Sequence, residues 1–278
     1  MGVNSADTTT LVAGARSRRV RANFPFRAAP RIWLMVFALL FVAALWAGAQ
    51  NALAGGGSFI TLPSLMLTGM DARAANITST VALFPAQIAT GWTGRQLVSG
   101  AAGLSFRALF LISIAGGAIG AVLLLITPSA FFARLVPWLV LFATAVFAWG
   151  SFGPRAGRAV PLSRLGTATA QFCISIYGGY FGGGIGFLML AALTLAGLLM
   201  RNAGATKNVL AGVMNASAVA IFVFSGEVRW FAAAVTSAGA ILGGVLGGLM
   251  LHRLNERLLR SLIIVIGVSL TIGLFLRA

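Results

Sequence analysis

Residues 32–49 read IWLMVFALLFVAALWAGA, eighteen positions without a charged side chain. A helix rises about 1.5 Å per residue and the hydrocarbon core of a bilayer is about 30 Å thick, so about 20 mostly apolar residues cross it. A water-soluble helix would alternate apolar and charged positions to keep one face wet. This stretch does not, and neither do the runs at approximately 56–69, 75–94, 106–127, 131–149, 166–181, 184–200, 205–224, 230–251 and 258–276. Over 278 residues, 59% are hydrophobic and 9% charged, with a mean hydropathy of +0.97. Soluble domains carry roughly 25% charged residues, so this chain lacks the charge to cover a water-facing surface. The expectation is an all-α, polytopic membrane protein.

The second informative pattern is glycine. Gly55-Gly56-Gly57 and Gly182-Gly183-Gly184 lie 127 residues apart, and Gly116-Gly117 with Gly120 match Gly243-Gly244 with Gly247 at the same offset. The segments after the triplets also end alike, at Met70 and Met200, before a polar helix start. Two signatures sharing one spacing indicate duplication. The reading is two homologous repeats of about four transmembrane helices each, residues 31–150 and 164–278, joined by a polar loop at 151–163. The first helix of each repeat is interrupted or re-entrant at its triplet. Such breaks are tolerated in a membrane where the freed backbone faces protein or a wet cavity. The Gly-Gly-x-x-Gly sets read as helix-packing seams.

Charge bears on orientation. The formal charge of +16 comes from 20 basic residues at the ends of apolar runs and in the tail, residues 1–30, where Arg16, Arg18, Arg19, Arg21 and Arg27 face Asp7 alone. This is a membrane protein's positive-inside bias; no basic stripe with interleaved aromatics supports nucleic-acid binding. The tail reads as a flexible cytoplasmic segment. Ser17-Arg18-Arg19 and Ala52-Leu53-Ala54 faintly resemble export and cleavage signals, but the run from Ile32 to Ala49 is long for a signal peptide. If each broken segment makes one net crossing, the halves run parallel, and Arg95, Arg107, Arg155, Arg158, Arg164 and Arg229 fall inside with the tail. If each crosses twice, the halves are inverted and Arg155, Arg158 and Arg164 move outside. The positive-inside rule favours the parallel arrangement; inverted repeats, common in transporters, stay open. Trp92, Trp149 and Trp230 mark segment ends as interfacial anchors.

Behind each triplet comes a helix that carries polar groups. One opens at Asn76-Ile77-Thr78-Ser79-Thr80 and continues to Gln87; Asn76, Thr80 and Gln87 share a face by their spacing of four and seven. The other opens at Thr206-Lys207-Asn208 and continues to Asn215. Polar groups in hydrocarbon are costly without partners, and ionisable ones more so. Lys207, the only lysine of the chain, is placed in the first turn of its helix, where it opposes the helix dipole unless an anion intervenes. Glycine breaks let backbone approach a ligand. The candidate substrate-binding set is therefore Gly55, Gly56, Gly57, Asn76, Thr78, Ser79, Gln87, Gly182, Gly183, Gly184, Thr206, Lys207, Asn208 and Asn215. Against it stand bland alternatives: hinge glycines, an interfacial lysine, and Thr78, Ser79 and Thr80 bonding back to carbonyls one turn earlier.

Catalysis has little to draw on. The acidic residues are Asp7, Asp71, Glu227 and Glu256, all in the tail or at predicted helix ends, and the single cysteine, Cys173, excludes an intrachain disulfide. His252 and Glu256 suit an interfacial helix pair. No nucleotide-binding loop is present. The chain reads as no enzyme, with no metal and no cofactor.

Gly55-Gly56-Gly57-Ser58-Phe59-Ile60-Thr61-Leu62-Pro63 followed by Ala75-Asn76-Ile77-Thr78-Ser79 resembles the first-half signature of the TauE/SafE sulfite-exporter family. Gly182-Gly183-Gly184-Ile185-Gly186, with Ala205-Thr206-Lys207-Asn208, Asn215 and Gly226-Glu227-Val228-Arg229-Trp230, resembles the second. The chain departs from the family pattern in its long basic tail and in lacking histidine near Arg95. The resemblance, over about 31–276, implies a bacterial inner-membrane transporter of two four-helix repeats that moves sulfite or a related sulfur oxyanion or organosulfonate. By position it carries over Thr78, Ser79, Thr206, Lys207, Asn208 and Asn215. The expected mechanism is alternating access with the glycine breaks as hinges, the N-terminus cytoplasmic. The expected partners are a small anion and the bilayer, with a homo-oligomer open. A membrane-embedded accessory or enzyme subunit is the alternative.

Overall fold

The computed structural model describes residues 30–53, 56–93, 95–152, 161–250 and 256–276. Gly55, His252, most of the N-terminal tail and most of the linker lie outside them. The described chain is almost entirely helical. Its first half contains α1 (Pro30–Leu53), α2 (Ser58–Leu67), α3 (Ala72–Thr93), α4 (Phe106–Ile126) and α5 (Ser129–Phe152). Its second half contains α6 (Arg164–Tyr180), α7 (Ile185–Leu195), α8 (Met200–Phe222), α9 (Trp230–Met250) and α10 (Glu256–Phe275). Among the described residues, five helices are long and apolar enough to cross a membrane: α1, α4, α5, α8 and α9. Helix starts follow capping chemistry. Ser105 and Ser163 accept the N–H groups of Ala108 and Gly166, and the Asp71 carboxylate accepts those of Arg73 and Ala74.

Helix packing comes in matched pairs. α1 lies along α9 and α6 along α4; α3 touches α9 as α8 touches α4. The seams are made by the Gly-Gly-x-x-Gly sets. A Cβ on Gly243 would overlap the carbonyl of Leu45, and one on Gly116 would meet the carbonyl oxygen of Phe172 at 3.0 Å. Gly247 faces the Ala49 carbonyl as Gly120 faces that of Ile176. The carbonyls in each comparison are 127 residues apart (172 − 45, 176 − 49), as are the glycines (243 − 116, 247 − 120). Without lipid-excluding hydrophobic force between helices, such backbone contact is what association relies on. Polar glue adds to the α4–α6 seam, where the Gln171 amide donates to the Ser113 hydroxyl at 2.8 Å.

The helix directions differ from the parallel arrangement favoured by arginine counting. Gln87 on α3 meets Asn215 on α8, and Gly91 stands over Asn208 and Val209, so α3 and α8 are antiparallel. α5 and α10 are antiparallel too, with Trp138 against Phe275 (ring centroids 5.0 Å apart) and Thr144 beside Gly267. Corresponding helices of the two halves therefore point in opposite directions.

The broken segments turn back. The Leu162 N–H, just before α6, donates to the carbonyl of Leu195 at the end of α7 (2.9 Å), so α6 leaves from and α7 returns to one face. α1 starts beside the start of α9, with the rings of Phe37 and Phe231 4.6 Å apart. α2 runs back along the first turns of α3, where the hydroxyls of Thr61 and Ser79 meet at 2.6 Å. Each half thus has a hairpin that turns inside the fold, then α3–α5 or α8–α10. The starts of α1 and α6 lie at opposite faces. With Arg73 and Arg229 at one face and Arg107 and Arg164 at the other, the charge bias has no single face to select.

Replacing Gly243 by Ala is expected to force α1 from α9 and lower stability by about 1–3 kcal/mol, read as a drop in thermal midpoint in detergent. Gly212→Ala, inside α8 and with a Cβ that would meet nothing within 4 Å, is expected to leave that midpoint undiminished or slightly raised.

Candidate functional site

Between the two hairpins, against α3 and α8, lies a cavity of about 80 Å³. A water needs roughly 10–15 Å³ of such space, so the cavity holds several waters or one small anion. α3 contributes Ser79, Thr80, Leu83, Gln87 and Thr90; α8 contributes Lys207, Asn208, Ala211 and Asn215. The turns supply Gly56 and Ser58 from the first hairpin and Phe181, Gly182, Gly184, Ile185 and Gly186 from the second, with Asn51 at the end of α1. Gly184 holds a left-handed φ of +74° where a Cβ would stand 3.2 Å from Ala143, so glycine is what lets α7 start there. In α2 the N–H groups of Phe59 and Ile60 return to the carbonyls of Gly56 and Gly57, and in α7 that of Phe187 returns to Gly184, which leaves the opening N–H groups at Ile185 and Gly186 without a carbonyl among the described residues; both helices begin at the cavity.

Lys207 is the cation of the wall. Among the described residues no carboxylate pairs with it and none lines the cavity. Its ammonium lies over Gly186, 3.6 Å from where a Cβ would be. Further along α8, the Asn215 Nδ2 donates to the Gln87 Oε1 at 2.6 Å, tying α8 to α3. Asn215 is 4% exposed, and its Oδ1 has no partner.

The cavity lies nearer one face. Toward the face where α3 begins, three contacts close the path: the Thr78 hydroxyl accepts the Arg229 N–H (3.1 Å), the Asn76 amide donates to the Tyr180 carbonyl (3.1 Å), and Arg73 pairs with Glu227 (2.6 Å). Arg73 also donates to the carbonyls of Leu125 and Thr127, so one guanidinium joins three elements. Toward the other face the lining continues to Thr90, one turn from the end of α3.

Of the residues proposed from sequence, Gly56, Ser79, Gln87, Gly182, Gly184, Lys207, Asn208 and Asn215 meet in this cavity. Gly57 and Gly183 are buried beside it, Gly57 against α1 and Gly183 against the Phe181 ring. Asn76 is turned to Tyr180, so it does not share the cavity face of Thr80 and Gln87. Thr78 and Thr206 do not line the wall: each holds a loop, Thr206 by accepting the Ser99 N–H at 3.1 Å. Thr80 alone of the Thr78–Thr80 trio bonds back, to the Asn76 carbonyl.

The polar helix starts are corrected. α3 begins at Ala72 under the Asp71 cap and α8 at Met200 after the extended Leu199, so Lys207 lies two turns inside its helix. The helix N-termini at the cavity belong to α2 and α7. Asn51, Ser58 and Gly186 were missed; Ser58 directly follows the first triplet and Gly186 comes after Ile185 behind the second, which would have marked them had the triplets been read as helix starts.

A bundle of membrane-capable helices with two hairpins turning at a polar cavity has the architecture of a multi-pass membrane transporter. The chain belongs to the sulfite exporter TauE/SafE family, whose sequence profile matches residues 40–274. It is 30% identical over 259 residues to a "Probable membrane transporter protein" of Haemophilus influenzae, covering 86% of this chain and 94% of that one. It is also 30% identical to "Probable membrane transporter protein ORF9" of a Sinorhizobium species (86% and 92% covered). Identity to "Probable membrane transporter protein YfcA" of Escherichia coli K12 is 26% (85% and 88% covered). No solved structure matches the chain.

Thr206→Val is expected to leave the Ser99 N–H without an acceptor and cost about 1–3 kcal/mol of stability, measured by thermal unfolding in detergent, with ligand affinity at the cavity unchanged.

Proposed function

We propose that the protein carries a small anion, sulfite or a related sulfur oxyanion or organosulfonate, across a bacterial inner membrane by alternating access. The observation that carries this reading is Lys207: a cation within the membrane-spanning α8, without a counter-charge among the described residues, at a cavity where two half-helices begin. The positive dipole ends of α2 and α7 favour an anion, and half-helices starting within the membrane are how other transporters hold charged substrates. An unpaired ionisable group in a membrane is costly enough to mark a site. The family's name supports a sulfur oxyanion as the substrate.

Two homologous halves of opposite direction suit the mechanism. The shared 127-residue offset of the glycine seams and of the carbonyls they touch supports the duplication. In this conformation the path is closed toward the face of Arg73 and Glu227. Opening it requires that ion pair and the Asn76–Tyr180 contact to part while the hairpins pivot at their glycines.

The test is flux of labelled sulfite into proteoliposomes. Lys207→Ala and Asn215→Leu are expected to reduce flux to the protein-free background while thermal unfolding still reports folded protein. Normal flux from both folded variants would remove the site assignment.

A further inference from the structure

We infer that the cavity selects a singly charged anion carrying its own O–H or N–H donor, and that the Asn215–Gln87 amide pair reads that donor. This rests on the anion reading above and narrows its substrate class.

Two independent counts lead there. The first is charge. Lys207 supplies one positive charge, and among the described residues no second cation and no carboxylate lines the cavity. A bound monoanion leaves the site neutral. A dianion leaves one charge uncompensated in a low-dielectric membrane interior, where isolated charge is strongly disfavoured.

The second count is of hydrogen-bonding groups. With Asn215 Nδ2 donating to Gln87 Oε1, the Asn215 Oδ1 is left buried without a donor. Turning both amides over exchanges the roles, Gln87 then donating to Asn215, with the Gln87 oxygen now the one left without a donor. Either way the pair keeps one carbonyl oxygen and one amino group unspent. An anion that only accepts hydrogen bonds satisfies the amino group and Lys207 but leaves the oxygen unpaired, lone pair against lone pair. An anion with an O–H or N–H satisfies all three. Sites built to bond a donor reject analogues lacking it far more strongly than sites that merely exclude by size, because a buried polar group is then left unpaired.

The discriminating experiment is calorimetric titration of the full-length protein in nanodiscs with three probes: hydroxymethanesulfonate, methanesulfonate and sulfate. The first two share the sulfonate group and the single charge and differ in the hydroxyl; sulfate adds a second charge. Hydroxymethanesulfonate is expected to bind at least about tenfold more tightly than methanesulfonate, with sulfate the weakest. In Asn215→Leu, and separately in Gln87→Leu, the ratio between the two sulfonates is expected to fall toward one; a ratio within one variant does not depend on how much of it folds. Equal affinity for the two sulfonates in the wild type, or sulfate binding as tightly as hydroxymethanesulfonate, would overturn the inference while leaving an anion site standing. A preference that survives in both leucine variants would overturn the role of the amide pair. Binding of none of the three would overturn the anion reading itself.

Discussion

A backbone that breaks in a membrane must hide its freed N–H and C=O groups from lipid, and the rest of this structure is arranged around that requirement. Two hairpins turn at glycines within the bundle, at Gly56–Gly57 and at Phe181–Gly184. α3 and α8 stand beside them, α1 and α6 supply their outgoing arms, and α4 and α9 clasp those arms through glycine-to-carbonyl contacts that leave no space for a side chain. What the hairpins enclose is the one kind of surface on which irregular backbone is tolerated, a polar cavity. The cavity and the break are thus two aspects of one solution.

Electrostatics then gives the cavity its character. Two acids of the described residues are committed elsewhere than to Lys207: Asp71 caps α3 and Glu227 holds Arg73 near a membrane face. The wall is left with a cation, amides, hydroxyls and the starts of two short helices. Such a wall attracts negative charge without a fixed competitor for it. The hydroxyls at Thr78 and Thr206 serve another end, each holding the loop that precedes a seam helix.

Much of this was legible in the sequence, for reasons that show where the rest was hidden. Membrane residence follows from apolar runs such as 32–49, because hydrocarbon imposes length and composition directly. The glycine seams were readable because close backbone approach demands glycine and nothing else serves. Lys207, Gln87 and Asn215 could be picked out because amides and charges in hydrocarbon need a reason. The helix starts were misplaced because Asp71 and Leu199 begin their helices a turn or more before the first conspicuous polar cluster. Direction was misjudged because arginine counting assumes one basic face, and here arginines flank the helices at both. The fates of Asn76, Thr78 and Thr206 depend on partners more than 100 residues away, Tyr180, Arg229 and Ser99, which local spacing does not reveal.

The clasp between α1 and α9 also has a history written into it. Leu45 leaves the ribosome long before Gly243 is made, so α1 enters the bilayer with its partner still unsynthesised, while α4 and α6 can join early. Each half's opening helix is held by the other half's closing seam, as in two hands with fingers laced. A chain stopped at the linker would strand α1 without its clasp, and the two halves can complete each other only once the last third has been translated.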